Sequence, residues 1–350
     1  MYDLKLLDDY VERGLLRKME DEDLVQYNYS ERTNNDGLWD EITMFNRGNI
    51  YEKKTGNLIA KAMPKFMNLG QLSQEKQKEL SLKPKFNLTE KMDGCLGIIY
   101  KYKGEIRCNS RGGFDNYITD KIKELLPKYV AKNMILNHNC LNVEVISPQT
   151  KIICDYGDTE ELYLITAFYD RPNWVEHTYE ESCMIAQVMQ MPIVKEYHMS
   201  WEPLIKWQQE ADWKHEGFVV RFPNNERVKI KSKDYLDVAK FRAGLSKRSI
   251  WRYMKNDLEQ GTNQLQEYLN MGIPDEFSNI AKSYVKELEE EMEQHRQLAI
   301  KEYNELINIP KNELHKYYKV HSNRYQHCNY ALRDGKDIKR NLIKMVEPEV

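Results

Sequence analysis

Five short elements of the sequence carry side chains able to do chemistry, in a fixed order. They are Lys91-Met92-Asp93-Gly94, Ser110-Arg111-Gly112, Glu144 within LNVEVISP, Glu216-Gly217 opening EGFVV, and Lys229-Ile230-Lys231. Lysine seldom goes inside a protein unless paired. Yet Lys91 stands at the mouth of LGIIY, which reads as a buried strand. An unperturbed lysine is protonated and non-nucleophilic at neutral pH, so covalent chemistry needs cations or a metal beside it. Period two puts Lys229 and Lys231 on one face of a strand and Ile230 on the other. Two adjacent ammonium groups repel unless they share an anion, and a phosphate is a natural one; an exposed edge strand, where lysine blocks sheet pairing, gives the same pattern. Glu144 sits among valines and isoleucine, and Glu216 precedes a glycine and an apolar strand; each alone could be a surface carboxylate. The ordered set matters more, because these separations are what several strands of one sheet could gather around one pocket.

The elements that must position these residues are legible from about 85 to 235. LGIIYKY and EIRCNS flank Lys103-Gly104 and predict a β-hairpin. LNVEVIS (141–147) and LYLITAF (162–168) are strand-length runs of β-branched and aromatic residues. GFVVRF and RVKIKS, joined by Pro223-Asn224-Asn225-Glu226, predict a second hairpin. Helices are expected from Tyr117 to about Asn133 and from Glu180 to Gln190. The expected fold class is α+β, with an antiparallel sheet and intervening helices. After about 240 the pattern turns helical. Tyr284, Leu288, Met292, His295, Ala299, Tyr303 and Leu306 recur at threes and fours along a helix expected from Pro274 to Ile307, with KELEEEMEQ on its solvated face. The expected organisation is a domain over 1–244 and a smaller all-helical domain over 245–350.

A chain of 350 residues can bury a sizeable core. Lys+Arg 52 against Asp+Glu 55 gives a net charge of -3, so any nucleic-acid binding must use local patches. No apolar run approaches a membrane span, and the acidic start MYDLKLLDDYVERG has no signal-peptide core. Six scattered cysteines without metal-ligand spacing read as free thiols. A soluble intracellular protein, with no membrane partner, is expected.

The order K-x-D-G, S-[RK]-G, strand glutamate, E-G-[FY]-V, K-x-K resembles the covalent nucleotidyltransferase superfamily of ligases and RNA-capping enzymes. More narrowly it is similar to the RNA ligase 1 family of T-even bacteriophages, over about 45 to 235. The upstream FNRGNIYEKKTGNLIAKAMPKFMNL contributes an R-G and a K-F-x-N-L. Two departures stand out: Met67 follows Phe66 where a second aromatic is expected, and Arg111 replaces a lysine, keeping charge but not geometry. The resemblance implies a nucleotidyltransferase domain that adenylylates Lys91 from ATP with Mg²⁺ or Mn²⁺, passes AMP to an RNA 5′-phosphate, and seals it to a 3′-hydroxyl. It implies catalytic roles for Lys91, Lys229, Lys231 and Glu216, and a metal held by Asp93 and Glu216 largely through waters. Glu144 and Arg111 would contact ribose or phosphate, Arg47 and Lys65 would orient pyrophosphate, and Ile165 and Val219 would flank adenine. Glu90, Asp93 and Gly94 would lie along the nucleotide, Gly94 leaving room for close backbone approach.

The expected partners are RNA ends, single-stranded or in a nicked tRNA loop, met by a monomer; tRNA repair is implied by the resemblance alone. From Lys311 to Lys344, nine Lys+Arg face three acids with Tyr317, Tyr318, Tyr325 and Tyr330 interleaved. That composition suits phosphate contact and base stacking, and equally a solvated helical face. DNA ligases and capping guanylyltransferases share most of these motifs but usually add an OB-fold of five short strands, which 245–350 does not read as. A nucleotide- or RNA-binding protein without turnover is the alternative of another class.

Overall fold

The structure, a computed structural model, describes residues 2–169, 174–242, 244–270, 275–321 and 323–348. The chain divides into two units, Met1–Ala239 and Lys240–Val350.

Among its described residues the first unit holds thirteen strands in three sheets. They are β1 Leu16–Glu20, β2 Leu24–Tyr29, β3 Arg47–Glu52, β4 Leu58–Ala60, β5 Asn87–Lys91, β6 Cys95–Tyr102 and β7 Glu105–Ser110, followed by β8 Asn139–Ile146, β9 Glu161–Tyr169, β10 Val175–Glu176, β11 Glu196–Tyr197, β12 Gly217–Arg221 and β13 Arg227–Lys231. The sheets run β1-β2-β3-β4, β10-β9-β8-β6-β7 and β11-β5-β12-β13. Their ladders are antiparallel, as the α+β reading expects. Both expected hairpins form. Lys103 and Gly104 take positive φ (49° and 84°) between β6 and β7, and Asn225 does so (63°) between β12 and β13, the twist that tight hairpins favour.

One expectation needs correction, and one sheet went unread. The helix expected from Tyr117 to about Asn133 stops at Leu125 and continues as a 3₁₀ turn over Leu126–Lys128 and a short helix Lys132–Ile135. Pro127 lacks the N–H that an α-helix would use there. The four-stranded N-terminal sheet gave no usable signal, because all six residues of β2 are buried; a strand buried on both faces loses its period-two alternation.

In the second unit the described residues form helices Lys247–Gln260, Gln264–Asn270, Asp275–Leu306, Lys311–Val320, Gln326–Arg333 and Lys339–Met345, with no strand among them. Pro274, the expected start of the long helix, lies outside the described residues. Its stripe behaves as expected: Leu288 and Ala299 are fully buried, and His295 pairs with Tyr325 Oη at 2.7 Å. Part of the acidic face is engaged, since Lys247 Nζ reaches Glu287 and Glu291 at 2.9 Å each. The interleaved tyrosines pack inward. Tyr318 Oη donates to Glu302 (3.1 Å) and accepts from Asn329 (2.7 Å), and Tyr317 and Tyr330 pack against Leu306 and Leu314. Arg324, Arg333 and Arg340 donate to carbonyls within the unit. The exposed cations of that stretch include Lys316, Lys319 and Lys339.

Candidate active site

The third sheet sets two rungs side by side. Gly217 of β12 lies opposite both Lys91 of β5 and Lys231 of β13, and Val219 lies opposite both Thr89 and Lys229. Directly opposed residues share a face, so Lys91, Lys229 and Lys231 project together. Leu88, Phe218, Val220, Val228 and Ile230 form the apolar core behind them. Gly217 cannot be anything larger, because at φ +152° an added Cβ would stand 2.1 Å from the Ile230 carbonyl oxygen.

Glu216, 4% exposed, ends the run before Gly217 and binds both rung partners: Oε2 accepts from Lys91 Nζ at 2.8 Å and Oε1 from Lys231 Nζ at 2.9 Å. Burial works against its charge, but Lys231 and Lys91 outweigh burial and hold the carboxyl below its ordinary value. The anion between the lysines is therefore a carboxylate, and the K-x-K pair is split. Lys231 pairs with Glu216, while Lys229 Nζ lies 5.3 Å from the Phe66 ring centroid. Met67, where an aromatic was expected, accepts from Lys229 N through its carbonyl at 3.0 Å.

Glu144 comes from β8, on the neighbouring sheet, and Oε1 accepts from Gly94 N at 3.2 Å. Burial pushes its carboxyl up to about 7, with Lys91 pulling the other way and Glu216 adding to the rise. The folded chain thus holds this proton across the window from 4.5 to about 7, where an unfolded glutamate has lost it. Stability from this group is fully present at lower pH and fades as pH rises through that window. Glu144→Gln is expected to flatten that slope in melting temperature against pH; an unchanged slope would contradict the assignment.

The packing at Gly94 is close. A Cβ there would meet the Val145 carbonyl oxygen at 2.5 Å and Ile146 Cδ1 at 2.7 Å. The space a Cβ would need at Gly94 is taken by β8. Gly94→Ala must separate the Lys91 turn from Glu144, at a cost of about 1–3 kcal/mol, and both melting temperature and covalent labelling of Lys91 should fall.

Asp93 does not suit the metal role expected of it. It is 2% exposed: Oδ2 accepts from Ile153 N (2.7 Å) and Cys154 N (2.8 Å), and Oδ1 from Tyr235 Oη (2.8 Å). Its own N–H donates to Tyr156 Oη at 2.9 Å. This carboxylate anchors the turn that carries Lys91. Glu90 is turned away as well: it lies opposite Phe218, on the core side with Leu88, and burial raises its carboxyl. Sequence reading missed Tyr156 and Tyr235. Ser232 Oγ accepts from Tyr235 N at 3.0 Å, so Ser232-Lys233-Asp234 was a helix-start signal that fixes Tyr235 one turn beyond Lys231.

The remaining expected residues fall in two groups. Ile165 and Val219 line one cavity with Phe66, Thr89, Thr166 and Arg227. Ile165 reaches it from an irregularity in the β8–β9 pairing. Arg47, Lys65 and Arg111 gather around Tyr29. Arg111 donates to Tyr29 Oη at 2.6 Å, and Lys65 Nζ, 4% exposed as a residue, lies 5.3 Å from the Tyr29 ring and 4.8 Å from that of Trp39. Burial depresses the Arg47 guanidinium, with Tyr29 and Glu144 pulling the other way. Cys95 is inert: burial, then the Glu144 charge, push its thiol up to about 11.

A family model described as RNA ligase matches residues 46–241, more than half of the chain. A Thermovibrio ammonificans protein provisionally named an RNA ligase is 31% identical over 123 residues, which are 34% of this chain and 32% of that protein. The match thus spans about a third of the relative's length. An Aquifex aeolicus protein provisionally named an ATP-dependent DNA ligase is similar in structure at a TM-score of 0.45 and 17% identity, covering 85% of this chain and 81% of its own. The Naegleria gruberi RNA ligase solved with PPi has a TM-score of 0.41 and 17% identity, covering 51% and 58%. With Lys91, Lys229 and Lys231 on one face of the third sheet and the family model matched across the motifs, the chain belongs to the phage-type RNA ligase family.

Proposed function

We propose that this protein is an ATP-dependent RNA ligase that works through lysyl-AMP and RNA-adenylate intermediates. The observation that carries the reading is the Lys91–Glu216–Lys231 chain, with Lys91 at its more exposed end, 22% against 9% for Lys231. Lys91 Nζ attacks the α-phosphorus of ATP. The N–P bond forms, the bond to the bridging oxygen breaks, and pyrophosphate leaves with that electron pair. The ammonium proton must go first, and Glu216 Oε2 is 2.8 Å away. Lys231 and Lys229 supply positive charge opposite the pentavalent phosphorus. AMP then passes to a 5′-phosphate, and a 3′-hydroxyl displaces it.

The donor set suits magnesium or manganese held mostly by its own waters: among the described residues no three acidic, histidine or cysteine side chains converge, and such ions are commonly bound through one or two carboxylates. Glu144 would hold it, and Glu216, whose oxygens are bonded to Lys91 and Lys231, would reach it through one of those waters. A bound divalent ion would supply charge beside the α-phosphate and lower the proton affinity of Lys91. Ile165 and Val219 would face adenine, and Arg47, Lys65 and Arg111 the phosphates and ribose.

RNA ends are the proposed substrate, including a tRNA broken in a single-stranded loop. The 245–350 region is proposed to hold RNA through exposed lysines such as Lys316, Lys319 and Lys339 rather than through its inward-packed tyrosines. The deciding experiment incubates the chain with labelled ATP or GTP and Mg²⁺, then with single-stranded RNA or nicked duplex DNA. A label from ATP and joined RNA are expected. A label from GTP alone, or sealing of DNA and not RNA, would overturn the reading.

A further inference from the structure

Asn28 is 1% exposed, and neither its Nδ2 nor its Oδ1 has a hydrogen-bond partner. Its cross-strand partner is Arg47, whose Nη1 is also buried and unpartnered. A buried amide left unpaired forfeits its hydration with no bond to offset the loss, and here two such groups lie on paired positions of β2 and β3. They do not bond each other, although an amide oxygen and a guanidinium nitrogen could. The surrounding face is otherwise well matched: Gln26, two residues back on the same side of β2, donates to Ser110 O at 2.9 Å and accepts from Asn109 at 2.9 Å.

The corner adjoins the proposed site. Arg47 feels the charges of Arg111 and Glu144, and Glu144 feels that of Lys91. The Arg111 side chain is exposed and donates to Tyr29 Oη at 2.6 Å. An acceptor-rich, negatively charged group fits two unused donors, Asn28 Nδ2 and Arg47 Nη1; a water or hydroxyl bound with it fits Asn28 Oδ1.

We propose that Asn28 is a further nucleotide-binding residue that works with Arg47 on the β,γ-phosphate end of ATP and so acts on the departing pyrophosphate. The proposal rests on the reading of Lys91 as the AMP acceptor. It confines the role of Asn28 to the first transfer and its reversal, since the later transfers carry no pyrophosphate.

The test uses full-length Asn28→Leu, which keeps the Cγ branch and the number of heavy atoms and deletes the unpaired amide. Removing an unsatisfied buried group does not destabilise, so melting temperature should stay equal or rise. KM for ATP in lysyl-AMP formation should rise about tenfold, the equivalent of one hydrogen bond to a charged group. KM for inorganic pyrophosphate in stripping AMP from the preformed adduct should rise alike, while sealing of preformed RNA-adenylate stays within about twofold of wild type. Unchanged KM for both ATP and pyrophosphate would overturn the proposal and leave Asn28 as packing around a trapped water. Equal losses in all three assays with a lowered melting temperature would overturn it in favour of a structural role. A wild-type chain that forms no adduct would fail the functional reading itself, and is thereby told apart from a failure of Asn28.

Discussion

Lys91→Ala is expected to leave no protein–AMP adduct when the chain is incubated with labelled ATP and Mg²⁺, a loss of more than about a thousandfold. Two features support so large an effect. Lys91 is the more exposed of the two lysines on Glu216, with 22% of its side chain open against 9% for Lys231. Its turn is also pinned from both sides, by the Asp93 carboxylate and by the Gly94–Glu144 bond. Lys91→Arg is the sharper control. A guanidinium keeps a cation on Glu216, so the fold should hold, but it is not nucleophilic. An adduct surviving in either variant would move the nucleophile elsewhere.

Glu216→Ala carries the second-largest effect, on stability as well as chemistry. The side chain is 3% exposed, and its loss strands the ammonium groups of Lys91 and Lys231 in a poorly hydrated corner. Breaking a buried pair from one side costs about 3 kcal/mol, which for a unit of this size lowers Tm by roughly 6–12 °C. Because Lys231 and Lys91 hold the Glu216 carboxyl below its ordinary value against burial, its contribution is present above that ordinary value. It is lost as pH falls through the depressed one. The mutant's deficit should therefore shrink in strong acid. Glu216→Gln keeps the shape and one acceptor oxygen, and separates the roles: it should recover part of the stability and none of the adduct yield. Adduct formation at the wild-type rate in the glutamine variant would remove Glu216 from the chemistry.

Much of this was legible in the chain itself. Alternation in RVKIK put Lys229 and Lys231 on one face, and the turn residues at 103–104 and 223–226 drew both hairpins, because these are local rules of period and backbone sterics. The helical stripe on 284–306 was readable for the same reason. Local rules failed where burial erased the pattern, as in β2, and at Pro127, where a missing N–H ended a helix that periodicity would have continued.

What the sequence determined by itself was the set of reactive residues, their order, and the family they belong to. Only the tertiary structure decided which of them meet. It put Glu216 between Lys91 and Lys231, sent Lys229 to Phe66, turned Glu90 to the core, and committed Asp93 to two backbone amides and Tyr235. These outcomes depend on strand register and on contacts between residues as far apart as Asp93 and Tyr235. A carboxylate free to bind a metal and one already saturated with donors look alike in the sequence; they differ only in what the fold packs against them.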